Sequence, residues 1–367
     1  MKPPVLDRVI AAINRIVPKN PRLVCFNSFP DRSDNAFAVY AYLCDHPEAL
    51  GERVLVWLVE DPAEKLPVGK AVKKRSLRGL WAFWRSGVVF HTHGIFGNIP
   101  VRGQTLVSLW HGMPLKTIMD LDPAHRDYPP FGFDYTIATS PLFAGIMSRA
   151  FSCDSSRCLV VGQPRNDLLF DGAPDGKETT VLWMPTYRQS VKGDIRIDGS
   201  APQNGIAFLD RDGIERLNAF MTQNDIRLII KVHPMQDLTP FQGLDASHIQ
   251  WIKEYDGALY RLVGQADALL TDYSSVYIDY LLLDRPIGFV VDDWDAYRDS
   301  RGFVFDDPKS MMPGAFIADE ERLYAFLRDV KTGRDPYRDD RRRVARQCHA
   351  HTDAGSCARL LKAIGWR

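Results

Sequence analysis

T-L-V-S-L-W-H-G-M-P-L-K occupies residues 105–116. Its first six residues read as a strand that stops abruptly at His111-Gly112. A short, largely apolar run suits a strand buried on both faces, the condition of parallel sheets. In open parallel sheets, ligands bind just beyond the carboxyl ends of strands. Trp110-His111-Gly112 is therefore either a packing feature or a catalytic base at the mouth of an α/β domain.

The same rhythm of apolar run and helical segment recurs on both sides. Strands are expected at 22–26, 53–59, 87–92, 105–110, 134–139 and 157–161, with helices such as Asp34–Asp45 and Pro141–Ala150 between them. At D-G-A-P-D-G-K-E (171–178) the chain turns polar and rich in Gly and Pro, as linkers do. The rhythm then restarts. Strands are expected at 180–184, 227–232, 248–252, 267–271 and 286–291, and helices at 210–222, 257–265 and 274–283. The pattern predicts an α/β protein of two Rossmann-like, doubly wound domains facing a cleft. The expected boundaries are 1–170, 171–335 and a helical tail, 336–367, packing back on the first domain. In that tail R-D-D-R-R-R-V-A-R (338–346) reads as a solvated face.

The bulk composition narrows the classes. A chain of 367 residues fits two domains. Net charge is zero, so nothing draws the whole molecule toward nucleic acid, and an anionic ligand needs a local patch. The six cysteines are scattered without a C-x-x-C, which favours a reducing compartment over a disulfide frame. No apolar run reaches the ~18–20 residues that span a bilayer. At the N-terminus, Val5, Val9, Ile13 and Ile16 fall at helical spacing, which predicts an amphipathic helix ending before Pro18. A cytoplasmic location is expected.

Five strand ends carry polar chemistry. They are His111-Gly112; G-Q-P-R-N-D (162–167); P-T-Y-R (185–188); His233-Pro234; and T-D-Y-S-S (271–275). His111 is suited to general base work beside a glycine that lets a substrate approach. Arg165 and Arg188 offer forked donors for phosphate. Ser274 and Ser275 open a helix, where Asp272 or Ser274 either caps it or joins free N–H groups in holding a phosphate. Asp279, in an otherwise apolar helix, is either paired or available to hydroxyls. The five features do not need one another for folding, so their joint presence favours a site for a phosphorylated nucleotide. H-T-H-G (91–94) sets two histidines at a spacing that can chelate zinc, but no third ligand stands nearby. The P-loop and G-x-G-x-x-G patterns are absent.

W-H-G-M-P-L-K (110–116), G-Q-P-R-N-D (162–167), M-P-T-Y-R (184–188), K-V-H-P (231–234) and T-D-Y-S-S-V-Y-I-D (271–279) occur together in order. In this the sequence resembles the CDP-glycerol glycerophosphotransferases, the teichoic acid primases and polymerases, over residues 110–290. Met113 stands where Thr is usual in that family, and Tyr187 where Trp is common. In size the sequence is expected to sit nearer the primases than the polymerases, which carry a long extra N-terminal region. The resemblance implies a glycosyltransferase-B architecture, with an acceptor and membrane-side N-terminal domain and a CDP-polyol-binding C-terminal domain. It implies His111 as catalytic base and His233 as a second catalytic histidine near the diphosphate. It also implies a substrate site lined by Trp110, Gly112, Arg165, Asn166, Thr186, Arg188, Pro234, Asp272, Ser274, Ser275 and Asp279.

The implied reaction moves glycerol phosphate, or another polyol phosphate, from CDP-glycerol to a hydroxyl of a lipid-linked glycan, with release of CMP, in teichoic acid-like or capsule polymer synthesis. No carboxylate pair suited to Mg²⁺ is evident, so no metal or other cofactor is expected. A lipid-linked acceptor implies visits to the inner face of the membrane. Within 70–85, Lys73, Lys74, Arg75, Arg78, Trp81 and Trp84 combine cations and aromatics as anionic interfaces favour. The same aromatics could instead pack on the sheet. The competing function is a nucleotide-sugar glycosyltransferase or epimerase of the same fold. A non-catalytic carrier on the same scaffold would keep ligand affinity without His111.

Overall fold

The computed structural model describes residues 5–63, 65–97, 99–122, 131–174, 176, 178–185, 206–232, 238–244, 246–253, 259–291 and 294–366. The chain forms two compact units. One comprises Met1–Met113, Met119–Leu168 and His349–Arg367, and the other Pro114–Ile118 and Leu169–Cys348.

In the first unit, α1 (Val5–Ile16) leads to β1 (Asn20–Asn27), α2 (Asp34–Asp45), the single turn α3 (Pro47–Leu50), β2 (Val54–Val59) and β3 (Lys70–Lys73). Then come α4 (Leu77–Arg85), β4 (Ser86–His91), β5 (Thr105–Ser108), β6 (Tyr135–Ala138), α5 (Pro141–Ala150) and β7 (Cys158–Val160). The second unit holds β8 (Thr179–Met184), α6 (Arg211–Asn224), β9 (Ile226–Lys231), β10 (Ile249–Ile252), α7 (Leu259–Gln265), β11 (Ala268–Thr271) and α8 (Val276–Tyr280). It continues with β12 (Ile287–Val290), α9 (Trp294–Arg301), β13 (Ala315–Ile317), α10 (Glu320–Thr332) and α11 (Arg338–Cys348). The final helix, α12 (Ser356–Ala363), returns to the first unit.

Every strand expected from an apolar run forms. β3 and β13 add to them at the sheet edges. Neither carries an apolar run long enough to announce it, and β3 bears lysines at both ends, as edge strands do. All pairings between named strands are parallel. The first sheet runs β3-β2-β1-β4-β5-β6-β7 and the second β10-β9-β8-β11-β12-β13. In each, the chain winds outward to one edge, then returns to the middle and winds to the other. The reversal falls between β1 and β4 in one unit and between β8 and β11 in the other. Helices then cover both faces, which is why the strands are apolar throughout. Phe26 stacks on Trp57 and Phe90 at 5.3 and 5.4 Å on one face of the first sheet. Val181, Trp183, Leu228 and Ile230 centre the core of the second.

Three local expectations are corrected. The stripe of α1 built on Val9, Ile13 and Ile16 is not the buried one: Ile10, Ala11 and Asn14 face inward. Leu6, Val9 and Ile16 are 68%, 49% and 79% exposed. The helix is apolar on two sides, and Asn14 decides between them by donating to Gln104 Oε1 at 2.9 Å in the interior. Residues 70–85 are not one amphipathic element but the edge strand β3 followed by α4. Phe83 is core, and half-buried Trp84 donates Nε1 to the Ile10 carbonyl at 3.1 Å. Only Trp81 among these aromatics is exposed, beside exposed Leu77. The charged run 338–346 is not wholly solvated. Arg341 is completely buried, bonding Asp335 at 2.6 and 3.1 Å and Asp284 at 3.1 Å, and Val344 is core.

Burial alone would push the Asp335 carboxyl up, but Arg341 and Arg338 outweigh it and hold it below the usual range. Removing one member of a buried ion cluster leaves charge without a partner, so Arg341→Met is expected to lose about 3–5 kcal/mol of stability. Denaturant unfolding measures this, and a change under 1 kcal/mol contradicts it. His91, at the end of β4, has no exposed surface, and burial, with repulsion from Lys74 and His93, pushes its pKa down to about 3. The unfolded chain therefore binds this proton between about pH 6.5 and 3 while the folded chain does not, so stability falls as pH falls through that window. Between pH 7 and 5 the wild type should lose about 2 kcal/mol more than His91→Gln in parallel urea titrations.

Candidate active site

At the carboxyl rim of the first sheet, the ends of β1, β4, β5 and β7 bring together residues far apart in sequence. His91 pairs with Ser108 in the ladder, and Leu109 N donates to His91 O at 2.7 Å. The regular strand then ends, two residues earlier than expected, because a side chain takes over. Asn35 Nδ2 donates to the carbonyls of Leu109 and Trp110 at 3.0 and 3.3 Å. Trp110 is buried with φ at +50°, and Gly112 has φ at +136°. A tryptophan in the left-handed region costs on the order of 1–3 kcal/mol, which the surrounding bonds must offset. The result turns His111 out of the strand line.

The His111 ring lies 4.4 Å from that of His93, nearly parallel at 9°, and 4.1 Å from that of Trp110. Its carbonyl accepts from Arg165 Nη1 at 3.0 Å, and the same nitrogen donates to both oxygens of Asp34 at 2.9 Å. Arg165 N in turn donates to Asn35 Oδ1 at 3.0 Å. Asp34 itself has φ at +61°. Four chain segments are thus fixed on one another: the start of α2, the bend after β4, the loop after β5, and the 3-10 segment Pro164–Phe170 after β7. Arg165 is buried in this bracing role. Asn166, also buried, has neither amide oxygen nor nitrogen paired within the described protein. A buried amide in that state points to a ligand or water.

His93, weighed from the sequence only as a zinc ligand in H-T-H-G, sits two residues past the end of β4. Burial lowers its pKa, nearby Asp34 pulls the other way, and Lys74 lowers it further. Thr92 Oγ1 meets its Nδ1 at 2.8 Å. Strand β4 ends at His91, so His91 and His93 do not share a strand face as zinc chelation from H-T-H-G supposes. Asp34 and Asn35 carried no recognisable motif at all.

In the second unit, the ends of β8 and β11 flank the reversal of strand order. Thr271 Oγ1 donates to the Met184 carbonyl at 3.0 Å and ties the two ends together. Asp272 is buried and accepts from Ser274 N at 3.2 Å. Ser274 and Ser275 are half-buried, and Ser275 makes no side-chain cap bond to the helix. The expected helix 274–283 is shorter: α8 has five residues and tightens into a 3-10 turn, Leu281–Leu283. Asp279 has no exposed surface and accepts from the Tyr260 hydroxyl at 2.5 Å, so of its two alternatives it takes the paired one. Thr186, Arg188, His233 and Pro234 lie outside the described residues.

Comparison with known proteins adds to this geometry. A family model for CDP-glycerol:poly(glycerophosphate) glycerophosphotransferases matches residues 9–365. The teichoic acid poly(glycerol phosphate) polymerase of Bacillus subtilis (strain 168) is 28% identical over 363 residues, covering 86% of this chain. The chain spans 45% of that relative's length. The teichoic acid glycerol-phosphate transferase of Staphylococcus aureus (strain NCTC 8325 / PS 47) is 27% identical over 355 residues, with 87% of this chain and 86% of its own covered. Among solved structures, a histidine-to-alanine variant of the wall teichoic acid polymerase TagF superposes with a TM-score of 0.79 at 20% identity, over 98% of this chain and 92% of that one. A histidine-to-asparagine variant of TagF soaked with CDPG gives 0.78 at 21% identity, over 98% and 91%. At such identities the structural likeness is one of fold, and the two α/β units with parallel sheets are that fold. The family match over nearly the whole length goes further: the chain belongs to the CDP-glycerol:poly(glycerophosphate) glycerophosphotransferases, a family of enzymes.

Proposed function

We propose that this chain transfers glycerol phosphate, or another polyol phosphate, from CDP-glycerol to a hydroxyl of a lipid-linked glycan acceptor, in the synthesis of a teichoic acid-like or capsule-type surface polymer. The observation that carries this is the braced imidazole of His111 at the carboxyl rim of a doubly wound sheet. His111 takes the proton of the acceptor hydroxyl, whose oxygen attacks the β-phosphorus of the donor. The bond from that phosphorus to the bridging oxygen breaks, and CMP leaves with the electron pair. The unpaired Asn166 amide offers N–H donors and a carbonyl acceptor to the substrate. Arg188, His233 and the Ser274 and Ser275 hydroxyls are assigned to the diphosphate, and Thr186, Pro234 and Asp272 to the rest of the substrate site. Arg165 and Asp279 act through His111 and Tyr260, to which they are bonded. Catalysis of this kind rests on positioning and on fixed charge, so rigid bracing of the base matters as much as its presence.

We place the working site at the inner face of the membrane, held there by the exposed stripe of α1 and by Leu77 and Trp81 of α4, with Arg8, Arg15, Arg75 and Arg78 beside them. Among the described residues no helix is long and apolar enough to cross a membrane. Apolar side chains rimmed by cations instead match the interfacial zone of an anionic bilayer.

CMP release from CDP-glycerol with a lipid-linked disaccharide acceptor should fall at least ~100-fold in His111→Ala, the usual span for losing a general base. Equal release by wild type and variant would return His111 to a structural role. Replacing Leu6, Val9 and Ile16 together by serine should weaken sedimentation with phosphatidylglycerol vesicles several-fold while leaving the melting temperature unchanged. Undiminished sedimentation would remove α1 from the membrane face.

A further inference from the structure

We infer that the first unit carries a second ligand site, remote from the His111 rim, which takes a single phosphate-bearing amphiphile. A cavity of about 700 Å³ opens at the β3 edge of the sheet, beneath α4. That volume lies in the range of small-molecule sites, roughly 300–1,000 Å³. Its wall carries four cations: Lys70 and Lys73 from β3, and Arg78 and Arg85 from α4. Arg85 Nη1 donates to the Pro18 carbonyl at 2.8 Å. Lys70, Lys73 and Arg78 have no carboxylate partner among the described residues. Positive charge gathered in a low-dielectric concavity focuses its field on an entering anion.

Asn20 and Ser76 add polar groups to the wall, and between them lies an apolar surface formed by Leu23 of β1, Val56 of β2, Pro62, Val72 and Ala82. A free phosphate has no use for that surface, whereas an acyl or isoprenoid chain does. Trp81 belongs both to the cavity wall and to the exposed apolar face, so it borders the path between them. The wall is fixed. A methyl group at Gly79 would sit 2.4 Å from the Lys73 carbonyl, so only glycine lets α4 lie this close to the end of β3. The site therefore combines a cationic rim with an apolar floor, the chemistry of an anionic lipid headgroup together with the start of its chain.

The site is separate from the transfer reaction, and monomeric lipid tests it without vesicles or turnover. Dihexanoyl phosphatidylglycerol, kept below its micelle concentration, is titrated into the full chain by calorimetry, beside dihexanoyl phosphatidylcholine and inorganic phosphate. Saturable one-to-one binding of the phosphatidylglycerol is expected, at least tenfold tighter than either of the others. Lys70→Gln, Lys73→Gln and Arg78→Gln together should weaken it at least tenfold. Arg8→Gln, Arg15→Gln and Arg75→Gln, which remove the same charge outside the cavity, should change it less than twofold. Ala71→Trp, which fills the cavity and keeps every cation, should abolish it while the melting temperature stays within a few degrees of wild type. Equal weakening in the two triple variants would reduce the effect to diffuse surface attraction and overturn the site. Phosphate binding as tight as the lipid, or full binding to Ala71→Trp, would overturn the amphiphile.

Discussion

The ion pair between Arg165 and Asp34 governs the first unit. It is short, largely screened from water, and shares its guanidinium with the carbonyl of His111. Asp34 follows β1, His111 follows β5, and Arg165 follows β7, so three strand ends spread over more than a hundred residues of chain meet on one cation. Charge held in such a place is strongly coupled to its partners, because losing one leaves the other stranded. The backbone at Asp34 and Trp110 accepts left-handed conformations as part of the same arrangement. Strain of this kind persists only where the surroundings over-determine it. The imidazole of His111, stacked on His93 and in tilted contact with Trp110, is the beneficiary.

Topology explains why chemistry gathers where it does. When a parallel sheet is wound outward in both directions from its middle, loops leaving the central pair of strands diverge and leave a gap at the carboxyl end. In the first unit Asn27 and His91 end those strands, and in the second Met184 and Thr271 do. Of the segments that the family resemblance singled out, all but G-Q-P-R-N-D (162–167), which follows the edge strand β7, follow these ends or their neighbours. The local stabilising devices differ: an ion pair and an asparagine in one unit, a threonine cross-link and an aspartate turn in the other.

Much of this was legible. The strands were readable because parallel strands covered on both faces must be apolar in unbroken runs, and their polar ends stood out by contrast. β3 and β13 escaped because edge strands need no such run. The two misjudged surfaces share one cause. Helix α1 has apolar residues on two sides, and the charged run 338–346 has an arginine that can face either way. Periodicity gives the spacing of a stripe but not its direction. In α1 the Asn14–Gln104 bond chose the inner face, and in α11 the carboxylates of Asp335 and Asp284 drew Arg341 inside.

The sequence by itself determined the fold class, the polar residues at the strand ends, and the family, because each is written in contiguous residues. The tertiary structure alone decided that Arg165 braces a histidine, that Asp279 is held by Tyr260, that His93 stacks on His111, and that four cations surround one cavity. Those are relations between segments distant in the chain. Their partners are selected by burial, where an unpaired charge or amide is costly, and no local pattern records which partner that will be.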